Sequence, residues 1–177
     1  MARLAAVGLL AIGVSGLLAG GMGLLFGKRF VAGDPPGITY TTARCADFFE
    51  YAPGASTCEE AGTEHHFSEV VDYRVAAGVL GLVVLGSYAW WRRRSRARGE
   101  AAPTDALPAG FTATVATALF GLTSVLLLGQ TLNQIVVHET AGVGGYLSAA
   151  PVSLIVAAAF ALSLYRTLLR RARQKPA

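Results

Sequence analysis

Apolar positions fall in four long blocks, residues 4–26, 75–91, 111–137 and 147–165. A bilayer core about 30 Å thick is crossed by roughly 20 apolar helical residues. Blocks one, two and four carry no polar face of the kind a soluble helical bundle needs. The third is polar only towards its end. The pattern predicts an all-α membrane protein: a four-transmembrane-helix bundle with a disulfide-bearing outer loop between helices 1 and 2. The spans are expected at about 4–27, 70–91, 110–137 and 148–168. Between them lie an outer loop over 28–69 and a cytoplasmic linker over 92–109, with a cytoplasmic tail over 169–177, all in one membrane domain. Arg3 and the small residues near Ala19 and Gly20 resemble parts of a secretory signal. The apolar run exceeds the usual signal core of about 7–15 residues, so a retained helix is expected.

Composition agrees with this pattern. Of 177 residues, 53% are apolar and 15% charged, against about a quarter charged in soluble domains. The basic residues then set the orientation, because Lys and Arg collect in cytoplasmic loops. Arg92, Arg93, Arg94, Arg96 and Arg98 follow the second block; Arg166, Arg170, Arg171, Arg173 and Lys175 follow the fourth. Arg3 falls on the same side if the helices alternate. Lys28, Arg29 and Arg44 fall on the opposite side; Lys28 and Arg29 argue against this reading and are outnumbered. Both termini are therefore expected in the cytoplasm, in a plasma membrane, with 28–70 and 138–146 outside. The net charge of +4 then reflects membrane flanks beside anionic lipid, and no interleaved aromatics suggest nucleic-acid binding. Trp90 and Trp91 fit an interfacial aromatic belt.

The outer loop holds the only two cysteines, Cys45 and Cys58. An even count in an oxidising compartment predicts a disulfide. Residues 34–37 (Asp-Pro-Pro-Gly) read as a turn, 38–42 as a short extended piece, and 43–52 as a short helix closed by Pro53-Gly54. Ser56 with Glu59 three residues on resembles a capping box. The loop is otherwise acidic, which fits a solvated cap or a surface for a partner or cation.

Small residues mark helix contacts: Gly16 with Gly20, Gly23 with Gly27, Ala77 with Gly81, and Gly121 with Gly129 two turns on. Pro151 sits near the expected start of the fourth helix, a tolerated position. Gly142, Gly144 and Gly145 predict a flexible turn before it.

One polar constellation stands out. Gln130, Gln134 and His138 recur every fourth residue and share a stripe, with Asn133 beside it. Amides within a span are costly unless bonded, so the stripe should face protein or water. Thr63 is the expected cap of a second helix running from about Glu64 to Trp91. On it His65 and Glu69 are four apart, His66 and Glu69 three apart, with Asp72 next and Arg74 at the membrane border. If the second and third helices are antiparallel neighbours, His65, His66, Glu69 and Asp72 meet Gln134, His138 and Glu139. That would gather all three histidines. Such a group supports structural bonding, with Arg74 paired to Asp72 or Glu139. It also supports a transition-metal site at the outer end on His65, His66, Glu69, His138 and Glu139, or a polar cavity for a small substrate, quinone or ion. The spacing matches no strong zinc signature, and no histidine lies at mid-membrane for a haem.

The layout is similar to that of claudins and tetraspanins. The chain has neither Trp-Gly-Leu-Trp before the cysteines nor Cys-Cys-Gly, so the likeness carries no residue roles. There is no nucleotide motif, nucleophile–base pair or mid-membrane carboxylate. The first expectation is therefore a non-catalytic accessory or scaffolding subunit, in contact with the bilayer and with other membrane subunits or its own copies. The alternatives are a metal- or quinone-linked membrane redox protein and an oligomeric small transporter or channel.

Overall fold

A computed structural model describes residues 2–33, 42–98, 109–137 and 139–173 of the chain. It contains α1 (Ala2–Phe26), α2 (Lys28–Ala32), α3 (Thr42–Tyr51), α4 (Cys58–Ala97), α5 (Ala109–Val136) and α6 (Val143–Arg173). Helices α1, α4, α5 and α6 are long and apolar enough to cross a membrane. Their N- and C-terminal ends alternate. One end of the fold carries the Cys45–Cys58 disulfide, the other the arginine-rich end of α4.

The lateral order is α4–α1–α6–α5. Helices α4 and α5 do not form an interface with each other, so the expected antiparallel pairing of the second and third spans is not what forms. Burial follows this order. One third of the apolar stretch of α1 is buried (33%), against 11% for α4 and 17% for α5. The inner pair is α1 and α6; α4 and α5 flank it.

Small residues explain the α1–α4 seam. A Cβ on Gly13 would stand 2.3 Å from the Cα of Gly78, and one on Gly78 would stand 2.6 Å from the Cα of Gly13. The two backbones cross at this point. One turn away on either side, Gly16 makes room for the Arg74 stem, and Gly81 lies against the carbonyl of Ala6. Gly23 accepts the ring of Phe67. Such approach lets dispersion and carbonyl contacts act where lipid removes any hydrophobic drive between helices. Of the small pairs marked in the sequence, Gly16, Gly23 and Gly81 serve this seam. A side chain at Gly27, Gly121 or Gly129 would meet open space.

The second pair, α5 with α6, uses buried Ala113, Ala116, Ala150 and Ala157. Ser124, also buried, donates from Oγ to the carbonyl of Ala150 at 3.0 Å. Phe120 and Phe160 stack with centroids 6.4 Å apart. Pro151 lies well inside α6, which starts at Val143 and not near 148. It removes one N–H from the helix ladder, and it is exposed.

Helix α2 ties the two pairs together. Gly33 and Gly142 both have positive φ (77° and 80°), a conformation glycine adopts without steric cost. They lie against each other, and Gly142 donates its N–H to the carbonyl of Arg29 at 3.1 Å. Gly144 and Gly145 belong to α6 and pack under Phe30 and Val31. Their role is close approach, not turn flexibility.

The 34–37 turn and the 38–41 part of the expected extended piece lie outside the described residues. So do His138, the 99–108 part of the linker and the end of the tail. Thr42, the last residue of that piece, opens α3.

Candidate functional site

The disulfide end gathers the polar chemistry of the chain, but in two separate places. The first is a cap formed by α3 on the opening turns of α4. Cys45 and Cys58 are bonded, with Cα atoms 5.3 Å apart. Phe48, Ala52 and Ala61 form a small buried core beside the bridge. Helix α4 starts at Cys58, not at Glu64, and runs 40 residues through Arg92–Arg94 to Ala97, about 60 Å. Its cap is Thr57, not Thr63. The Thr57 hydroxyl accepts from the Glu60 N–H at 3.1 Å. The Glu60 carboxylate in turn accepts from the backbone N–H and the hydroxyl of Ser56, each at 2.7 Å. The Ser56 backbone N–H, then its hydroxyl, hold the Glu60 carboxyl below its ordinary value. The capping device thus sits one residue later than Ser56–Glu59 suggests. Thr63 lies inside the helix and donates back to the Glu59 carbonyl at 2.9 Å. Thr57→Ala should cost about 1 kcal/mol at this helix end, seen as faster amide exchange over 58–61 with exchange in α6 unchanged.

His65 is absorbed into this cap. Its ring stacks on Tyr51 at 4.7 Å and lies 5.5 Å from Phe48. Its Nε2 is 3.5 Å from Glu69, and the Nδ1 of His66 is 4.0 Å from the same carboxylate. His65, His66 and Glu69 are thereby brought together. Among the described residues, no three His, Cys, Asp or Glu side chains gather in a way that could hold a metal ion. Asp72 is exposed on α4.

Beside the cap, Lys28 pairs with Glu64, and Arg29 lies 3.9 Å from Glu59. These are the two cations that oppose the charge-based orientation. The acidic opening turns of α4 neutralise them locally. An acidic first turn also complements the helix N-terminus.

The second place is a cleft of about 730 Å³ between the α1–α2 corner and the end of α5. Phe26, Arg29 and Phe30 line one wall; Gln134, Glu139 and Tyr146 line the other. Glu139 therefore opens on Arg29 and Phe30, and His65 and His66 are not among the lining residues. The reason is the lateral order: α1, not α4, brings its end towards α5 and α6. The backbone N–H of Glu139 bonds to the Gln134 carbonyl at 3.0 Å, which folds the chain back over the cleft. The Oε1 of Gln134 is buried and has no hydrogen-bond partner.

The other two amides of the α5 stripe behave differently. Gln130 and Asn133 are exposed. Apolar Ile135, Val136 and Val137 follow them, all more than half exposed. The amides thus lie inside the apolar stretch and on its outward side.

Arg74 has neither Asp72 nor Glu139 as a partner among the described residues. It passes over Gly16 of α1, and its Nη1 donates to the Ser148 hydroxyl of α6 at 3.3 Å, with a longer contact of 3.5 Å to the Gly145 carbonyl. It is half-buried and joins α4 to α6 through two neutral acceptors, crossing over α1 at Gly16. The sequence marks Arg74 but not this role, which depends on a glycine one helix away. Arg29, Phe30 and Tyr146 are also functional candidates that sequence reasoning did not single out. The signal for Arg29 is a basic residue on the wrong side of the charge rule.

No family model, curated protein sequence or solved structure matches this chain. The four spans make the chain a multi-pass membrane protein in contact with the bilayer.

Proposed function

We propose that this chain is a non-catalytic accessory or scaffolding subunit that binds another membrane protein along the outward face of α5. The observation that carries this reading is the exposure of Gln130 and Asn133 within an apolar span. Gln130, a turn below the end of the span, faces hydrocarbon without a hydrogen-bond partner, which favours protein over lipid as the neighbour of that face, and Asn133 continues the face to the hydrocarbon border. Gly129, beside Gln130, has open space where a side chain would project. A neighbouring helix can therefore come close enough to bond both amides. In this reading both termini lie in the cytoplasm. The arginines after α4 support this, as does the pairing of Lys28 and Arg29 with Glu64 and Glu59 at the opposite end.

Purification from native membrane in mild detergent tests the reading. A stable heteromeric partner should co-purify. Changing Gln130→Leu and Asn133→Leu together should remove about 1–2 kcal/mol of association, roughly a tenfold loss of recovered partner. Recovery of the wild-type chain alone, or unchanged recovery of partner with the double variant, would overturn it.

A further inference from the structure

We propose that the cleft between the α1–α2 corner and the end of α5 binds the headgroup of an ethanolamine phospholipid. The inference is independent of what covers α5. The cleft lies where two spans end, since Phe26 closes α1 and Gln134 is two residues from the end of α5. That level is the border of the hydrocarbon. Its volume of about 730 Å³ is in the range of small-molecule sites. Leu24, Leu25 and Phe26 stand 85%, 78% and 65% exposed just below it, an apolar bed for acyl chains.

The polar groups choose the headgroup. Arg29 lines the cleft as its cation. A guanidinium offers five N–H donors, so it can hold a phosphate while remaining near Glu59. The opposite wall presents the exposed Glu139 carboxylate. A carboxylate bonds most strongly to a positively charged N–H donor. A phosphate joined by a short link to a primary ammonium satisfies both walls. A choline headgroup has the positive charge but no N–H to donate to Glu139. A glycerol headgroup has O–H donors but no charge for Glu139. The expected order is therefore ethanolamine over glycerol and choline headgroups.

The test uses the full chain and phospholipids of identical acyl chains carrying ethanolamine, choline or glycerol headgroups. Lipid retained on the protein is counted by native mass spectrometry. Ethanolamine lipid should be retained at least about tenfold over choline lipid, as expected for charge-assisted bonds. Glu139→Gln, at an exposed position outside the helices, should bring it down to the choline level. Soluble phosphoethanolamine should compete only weakly. Equal retention of the ethanolamine and choline lipids overturns the proposal, as does undiminished selectivity in the Glu139→Gln protein. Binding of free phosphoethanolamine as tight as that of the lipid would assign the cleft to a soluble ligand and overturn the lipid assignment.

Discussion

Gly78→Leu is expected to separate α4 from α1 and to be the most damaging single substitution in the spans. A Cβ there would already stand 2.6 Å from the Cα of Gly13. The obstructing atom is backbone, so no rotamer change relieves the clash, and the helices must move apart along their length. Overpacking of a side chain costs about 1–3 kcal/mol; a backbone crossing should reach about 3 kcal/mol or more on that scale. Gly13→Leu should behave alike, because its Cβ would be 2.3 Å from Gly78. Gly86→Ala and Gly121→Ala are the controls. Both glycines face open space, and alanine in a helix interior should gain about 0.5–1 kcal/mol. Unfolding by increasing SDS fraction, followed by helicity, measures all four. Equal midpoints for Gly78→Leu and wild type would show that the crossing does not hold the pair.

The seam also explains why the polar groups are divided between two sites. With α4 held on the far side of α1, its opening turns meet α2 and α3. His65 then stacks on α3 aromatics instead of reaching α5. The α5 end meets the α1–α2 corner, which supplies Arg29 and Phe30. Arg74 can reach Ser148 on α6 only because Gly16 leaves α1 bare beneath it. A single close crossing thus decides which residues share a cleft.

Some of this was legible in the sequence and some was not, for physical reasons. Span number and position follow from hydrocarbon thickness, which acts on length alone. The disulfide follows from two cysteines in one loop. Helix partners are harder. Lipid is as apolar as a packed interface, so α5 before Gln130 shows leucines on its exposed face and alanines on its packed face with no polar stripe to tell them apart. Small residues signal a seam, and Gly16, Gly23 and Gly81 were recognisable as such. Their partners were not, since Gly121 and Gly129 look the same and face open space. Residues 58–63 are polar enough to read as loop, yet they form the opening turns of α4, where Glu60 caps the helix and Glu59 lies near Arg29. The expected α4–α5 pairing rested on treating 92–109 as a short connection. Helix α4 runs on to Ala97, and about ten further residues can span roughly 30 Å, so adjacency is not enforced.

Reduction of the Cys45–Cys58 bridge is expected to release α3 from α4 while leaving the spans folded. The bridge closes a loop with a sequence separation of 13. A loop of that size corresponds to about 3 kcal/mol in the chain-entropy account, or about two orders of magnitude in a local opening equilibrium. What remains is the small core of Phe48, Ala52 and Ala61 and the stacking of Tyr51 on His65. That is little apolar area to hold a helix of 10 residues. The Cys45→Ser, Cys58→Ser protein should therefore be cut by protease within 42–57 about a hundredfold faster, since cleavage tracks the open population. Its SDS unfolding midpoint should stay near wild type, because the α1–α4 crossing and the α5–α6 contacts do not involve the cap. The same cysteines report the proposed orientation. In intact cells, a membrane-impermeant maleimide should label them only after an impermeant reductant has been added from outside. Unchanged protease resistance in the double serine protein would mean that aromatic packing alone holds α3. Labelling only after permeabilisation would reverse the proposed orientation of the chain.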